Sequence, residues 1–131
     1  MEEIINITMS ELDYELIKRI KELRDQHNLS QVQLSHKMNL SSGFVGKVEL
    51  LTAPDKYSIR HLKLLANVFK VESIGDLFPI PLPEHDLIVL TLRVTYNQKK
   101  DGSQSKKKLT EVIKIDPVKP KKDSENSKNI A

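Results

Sequence analysis

LSQVQLSHKMNLSSGFVGKVE, residues 29–49, is the most informative stretch of this chain. It predicts two short helices separated by a tight turn. The first would run from Gln31 to Met38, behind Ser30, whose hydroxyl can accept a free amide hydrogen of the first turn. The second would run from Ser42 to Leu50, with Ser41 as its N-cap. A connection of about three to four residues between them is that of a helix-turn-helix.

The second of these helices has two distinct faces. Val45, Val48 and Leu51 are spaced three apart and would face the core. The outward face would carry Ser42, Gly43, Phe44, Gly46 and Lys47.

At these residues the chain resembles the helix-turn-helix of the XRE/Cro-like family of bacterial and phage regulators. The positions that match its motif are Leu29, Ser30, Gln31, Leu34, Leu40, Ser41, Val45, Val48 and Glu49. Three positions depart from it: Ser35 stands where alanine is usual, Asn39 where glycine is usual, and Gly46 where serine or glutamate is common. A glycine inside a helix costs about 1 kcal/mol relative to alanine.

The flanking sequence predicts further helices. Ser10 is a candidate N-cap for a helix reaching Gln26, and Ser58 for a helix from Ile59 to Phe69. A last short helix, Ile74–Phe78, would end at Pro79. The resemblance spans residues 10–79 and implies a lambda-repressor-like DNA-binding domain of five helices. The predicted fold class is therefore mainly α.

The rest of the chain predicts three smaller segments. Residues 80–85 form a proline-rich linker. Residues 86–116 alternate in a way that predicts a β-hairpin, with strands at Asp86–Tyr96 and Lys107–Asp116 and a turn at Asp101-Gly102. Residues 117–131 are polar and basic, and we expect them to be disordered.

The hairpin raises the question of a partner. Its first strand would place Ile88, Leu90, Leu92, Val94 and Tyr96 on one face, and an isolated hairpin is marginal in water. One hypothesis is a homodimer formed through the hairpin, which would set two recognition helices one DNA turn apart, about 34 Å. The alternative is that the hairpin folds back onto its own helical domain.

The resemblance implies a site for double-stranded DNA. Its residues would be Gln31, Ser41, Ser42, Gly43, Phe44, Gly46 and Lys47. Gln31, at the start of the bracing helix, would meet a phosphate, because free amides at a helix N-terminus suit anions. Lys47 could reach a phosphate or a guanine edge. Phe44 could contact a thymine methyl, and the alternative is that it packs on the helical core or in a groove of a partner protein. Glu49 is interpreted as structural, paired with a basic side chain of its own domain.

Composition and charge limit the classes of function open to this chain. The 131 residues carry a formal net charge of +3 and no cysteine, so thiolate metal sites and disulfides are excluded. Residues 1–83 sum to −1 and residues 84–131 to +4, which places the basic excess outside the helix-turn-helix. The four histidines are scattered, and no phosphate-binding loop or nucleophile motif is present. We therefore expect no cofactor, no metal and no enzymatic activity.

Two functions of different classes follow from these features. The leading one is a transcriptional regulator in the bacterial cytoplasm or nucleoid, without a membrane segment. The alternative is an antitoxin-like or other protein-binding module that uses the helix-turn-helix and the hairpin. A further alternative has the lysines of the hairpin loop clamping DNA phosphates.

Overall fold

Serine-capped helices occupy much of the first half of the chain. The computed structural model describes residues 1–78, 81–98 and 104–119. Its helices are α1 (Glu11–Gln26), α2 (Gln31–Lys37), α3 (Phe44–Leu50) and α4 (Ile59–Phe69), followed by a one-turn 3-10 helix, Ile74–Leu77. The hydroxyls of Ser10, Ser30 and Ser58 each accept the amide hydrogen three residues on, so these three predicted N-caps are confirmed.

Three antiparallel strands form one sheet in the order β1-β2-β3. They are β1 (Glu2–Ser10), β2 (Leu87–Gln98) and β3 (Gln104–Pro117). The β1–β2 register runs without interruption from Glu2 opposite Thr95 to Ser10 opposite Leu87. The β2–β3 register shifts beside Thr91, where Ile113 has no partner, as in a β-bulge.

The sheet and the helices share one hydrophobic core. Ile88, Leu90 and Leu92 alternate along β2 and are fully buried, in the same cluster as Ile20 of α1 and Leu34 of α2. A strand with one apolar face excludes water only when that face packs on another layer, and here the helices provide the layer.

The predicted mainly α fold with five helices is wrong. The described chain has four α-helices and a single 3-10 turn, and a three-stranded antiparallel sheet packs against them. Strand β1 lies almost wholly in residues that the prediction left outside the domain. Its partner begins only at Leu87, and no local pattern reveals a pairing between segments so distant in sequence.

The burial of the β2 face removes the reason for expecting dimerisation through it. Val94, like its neighbours on that face, is buried within a single chain. The predicted turn at Asp101-Gly102, the loop lysines Lys99 and Lys100, Pro79 and residues 120–131 lie outside the described residues.

Candidate nucleic-acid interface

Helix α3 starts later than the sequence predicts. Its first residue is Phe44, and its N-cap is Gly43, which has no side chain to bond the free amides. The preceding serines form a turn in which the Phe44 amide donates to the carbonyl of Ser41 at 3.1 Å. Ser41 is therefore the start of this turn and not the N-cap of the helix. Asn39, two residues earlier, adopts φ 59°, a left-handed conformation that asparagine tolerates and that lets the chain turn after α2.

The missing cap comes from another helix. The Ser35 hydroxyl, on α2, accepts the amide hydrogen of Val45 at 3.1 Å and donates to the carbonyl of Gln31 at 2.9 Å. Ser35 is fully buried. The sequence analysis did not predict that Ser35 caps α3. The signal for it was a serine at a position where the resembled family usually has alanine.

The other end of α3 is held by the sheet. The Thr110 hydroxyl, on β3, donates to the carbonyl of Leu50 at 2.9 Å. Leu51 ends the helix with φ 71°, a left-handed conformation. A seven-residue helix is marginal by itself. Hydrogen bonds from α2 and β3 therefore fix its two termini.

A buried ion pair ties α3 to α1. Arg24 donates from Nε to Oε2 of Glu49 and from Nη2 to Oε1, each at 2.8 Å, and from Nη1 to the carbonyl of Leu29 at 2.8 Å. Only 10% of the Arg24 side chain and 4% of the Glu49 side chain are exposed. The hydrogen bond with Glu49 raises the pKa of Arg24. The prediction that Glu49 pairs with a basic residue of its own domain is confirmed.

Gln31 belongs to the same network. Its Nε2 donates to Oε1 of Glu49 at 3.0 Å. A Cβ atom added at Gly46 would lie 3.2 Å from Gln31 Oε1, so a larger residue there would require this side chain to shift. The side chain of Gln31 is thus directed at α3, and its phosphate contact, if DNA binds, would come from the helix terminus.

Phe44 packs inside the chain. Its ring centroid lies 4.6 Å from that of His61 and 6.0 Å from that of Tyr57, and the side chain is half-buried. Burial, and then the charge of Arg60, lowers the pKa of His61. Tyr57 is buried, and its hydroxyl has no hydrogen-bond partner among the described residues. These contacts correspond to the packing alternative for Phe44.

The exposed part of the site is small. Ser41, Ser42, Gly43 and Lys47 are exposed, whereas Gly46 is half-buried. Ser42 is in contact with α2, since its hydroxyl lies 3.2 Å from Nε2 of His36. The structure thus brings the predicted residues together, but it leaves mainly hydroxyls, backbone and one lysine on the surface.

The charges of α2, α3, α4 and their connections are not balanced locally. Residues 30–70 contain six Lys or Arg and two Asp or Glu. The six cations are Lys37, Lys47, Lys56, Arg60, Lys63 and Lys70, and none of them forms an ion pair with a described residue. One of the two acids, Glu49, is already neutralised by Arg24.

Of the other cations whose side chains are described, five have a carboxylate partner and two, Lys21 and Lys119, have none. Lys18 lies 3.6 Å from Glu15, Arg93 lies 3.0 Å from Glu111, and Lys114 lies 3.3 Å from Asp116. Most of the described cations without a carboxylate partner therefore lie in residues 30–70, which include the helix-turn-helix, although the first 83 residues as a whole are slightly acidic.

Two further features are absent from the described residues. No group of three or more His, Asp or Glu side chains there could hold a metal ion. Within the same residues, every helix is too short or too polar to cross a membrane.

Comparison with known proteins gives two structural neighbours. No family model matches the chain, and no curated protein matches it. The crystal structure of FeII HppE is 14% identical, with a TM-score of 0.46, and the match covers 69% of this chain and 64% of that one. The structure of hydroxypropylphosphonic acid epoxidase from S. wedmorenis is also 14% identical, with a TM-score of 0.48 and coverage of 71% and 64%. This chain thus spans less than two thirds of either neighbour, and similarity at this level says nothing about its activity.

Proposed function

We propose that this chain is a DNA-binding transcriptional regulator of the XRE/Cro-like type, which presents helix α3 to the major groove of duplex DNA. The observation that carries the proposal is the set of six cations on and around α2, α3 and α4 that form no ion pair with any described residue. Phosphate neutralisation supplies much of the affinity of protein–DNA complexes. DNA phosphates would supply the anions that these six cations lack among the described residues.

The exposed residues indicate which contacts the protein would make with DNA. Lys47 projects from α3 beside the exposed turn Ser41–Gly43. Arginine, asparagine and glutamine make the common bidentate contacts to bases. None of them lies within α3, and the Gln31 amide is bonded to Glu49. We therefore expect phosphate contacts to dominate, with a steep dependence on salt and modest sequence discrimination.

The test is a selection of bound sequences from random duplex DNA, followed by titrations between about 50 and 200 mM salt. We expect an enriched sequence, and Lys47→Ala should lower the affinity and reduce the slope of log K against log salt by about 1. Lys18→Ala is the matched control, because Lys18 is on α1 and pairs with Glu15. It should leave both quantities unchanged.

Two results would contradict the proposal. One is the absence of duplex binding at low salt, and the other is an equal response to Lys47→Ala and Lys18→Ala. Either result would favour the protein-binding alternative. Val32 on α2 and Ile59 on α4 are exposed apolar residues, and this observation supports the protein-binding alternative.

A further inference from the structure

The two edges of the sheet differ in their protection against pairing. Natural edge strands are commonly blunted by lysine, proline or a bulge. Strand β3 has a register shift at Ile113 and four lysines, Lys106 to Lys108 and Lys114. Strand β1 pairs with β2 without interruption and contains no lysine, arginine or proline from Glu2 to Ser10. No other segment of the described chain pairs with its outer side.

The core is also incomplete at this edge. Ile5 and Ile7 of β1 face the core opposite Leu92 and Leu90 of β2. Both leucines are fully buried, whereas both isoleucines are only half-buried. The remaining exposure of Ile5 and Ile7 exists because β1 is the last strand of the sheet. A further strand beside β1 would cover them.

We propose that β1 pairs antiparallel with β1 of a second copy of this chain, about a two-fold axis at Asn6, to form a continuous six-stranded sheet. In this register Ile5 of each copy faces Ile7 of the other, and the apolar layer continues across the interface. This dimer does not depend on DNA binding.

The charge pattern of β1 favours its own copy as the partner. Like charges directly opposite each other destabilise a pair of strands. Glu2 and Glu3 are the only charged residues of the strand, and both are at its start. Pairing about Asn6 sets them opposite Ser10 and Met9 of the second copy. The acidic ends of the two strands are therefore at opposite ends of the interface.

The first test replaces Asn6, the residue on the proposed two-fold axis. The Thr91 hydroxyl donates to Oδ1 of Asn6 at 3.0 Å, and an aspartate keeps that acceptor. In the dimer, however, Asn6→Asp would place two carboxylates opposite each other. We expect sedimentation equilibrium of the 15.0 kDa chain to show a dimer, and Asn6→Asp to weaken it by about tenfold. Asn67→Asp on α4 makes the same change in charge and should have no effect.

A cross-linking test fixes the register. The chain has no cysteine, so an introduced thiol is unique. Asn6→Cys would meet its symmetry mate and form an intermolecular disulfide on mild oxidation. With Ile4→Cys the two thiols would be about 13 Å apart along the strands, which is beyond the reach of about 7 Å between Cα atoms. We expect a covalent dimer from Asn6→Cys and none from Ile4→Cys.

Three results would overturn the proposal. They are a monomer at all concentrations, equal cross-linking of the two cysteine variants, and a dimer that is insensitive to Asn6→Asp but dissociated by Ile113→Lys on β3. The last result would place the interface on the opposite edge.

Discussion

The Ser35 hydroxyl accepts the amide hydrogen of Val45 at 3.1 Å and so caps α3 from the neighbouring helix. Both groups are buried, and Gly43 at the N-cap position has no side chain to replace this bond. A buried amide left without a partner costs about 1–3 kcal/mol. The relative position of α2 and α3 thus depends on one hydroxyl group that a helix-turn-helix motif does not specify.

Ser35→Ala should therefore lower the free energy of unfolding by about 1–2 kcal/mol, because the Val45 amide loses its acceptor without gaining water. Urea denaturation monitored by circular dichroism measures the change. Ser42→Ala is the control, since Ser42 is exposed, and it should change stability by less than about 0.5 kcal/mol. Equal effects of the two substitutions would show that the cap is not needed.

Replacing Glu49 should lower the free energy of unfolding by more than Ser35→Ala does. Glu49→Leu leaves the guanidinium of Arg24 buried without its carboxylate, and breaking a buried pair in this way costs about 3 kcal/mol. Arg24→Met combined with Glu49→Leu should recover part of the loss, because no isolated charge remains. A double-mutant cycle on urea midpoints measures the coupling. Strictly additive losses would contradict a direct interaction.

Gly46→Ala should separate helix propensity from the packing of Gln31. The new methyl would lie 3.2 Å from Gln31 Oε1, so the gain of up to about 1 kcal/mol from alanine should be offset by displacement of that side chain. In a Gln31→Ala background the same substitution should stabilise by about 1 kcal/mol. Thermal unfolding of the four proteins tests this. A full gain in the wild-type background would show that Gln31 moves without cost.

Stability should fall as the pH is lowered from about 7 to 5, in part because of His61. Burial lowers its pKa in the folded chain below the ordinary 6.5, and its Nδ1 accepts the amide hydrogen of Ser58 at 2.9 Å. Between the two pKa values the unfolded chain binds more protons. The contribution of His61 is therefore complete above pH 6.5 and is lost as the pH falls through the folded-state pKa.

The His61→Gln variant isolates this contribution. Gln33 occupies the corresponding position of the capping box of α2, so a glutamine can replace the acceptor without titrating. Urea midpoints measured across the same pH range should fall less in the variant than in the wild type. Parallel pH profiles would show that protonation of His61 is not coupled to folding.

The local elements were the most predictable part of this fold. The caps at Ser10, Ser30 and Ser58 depend on side chains three residues from their partners, so a short stretch of sequence contains the whole interaction. The pairing of Arg24 with Glu49 was predicted from one side only. Glu49 was expected to find a cation, but the identity of that cation depends on how α1 crosses α3.

The two short helices within residues 29–50 and the apolar alternation of β2 could be predicted from sequence alone, because each is a pattern within a few residues. Only the tertiary structure decided that β1 completes a sheet with β2, that Ser35 and Thr110 hold the ends of α3, and that Phe44 packs on His61. Apart from the Ser35–Val45 bond within the helix-turn-helix, those contacts join segments that are well separated along the chain. Their partners are chosen when the whole apolar surface is buried in one core, and no local window of sequence contains that information.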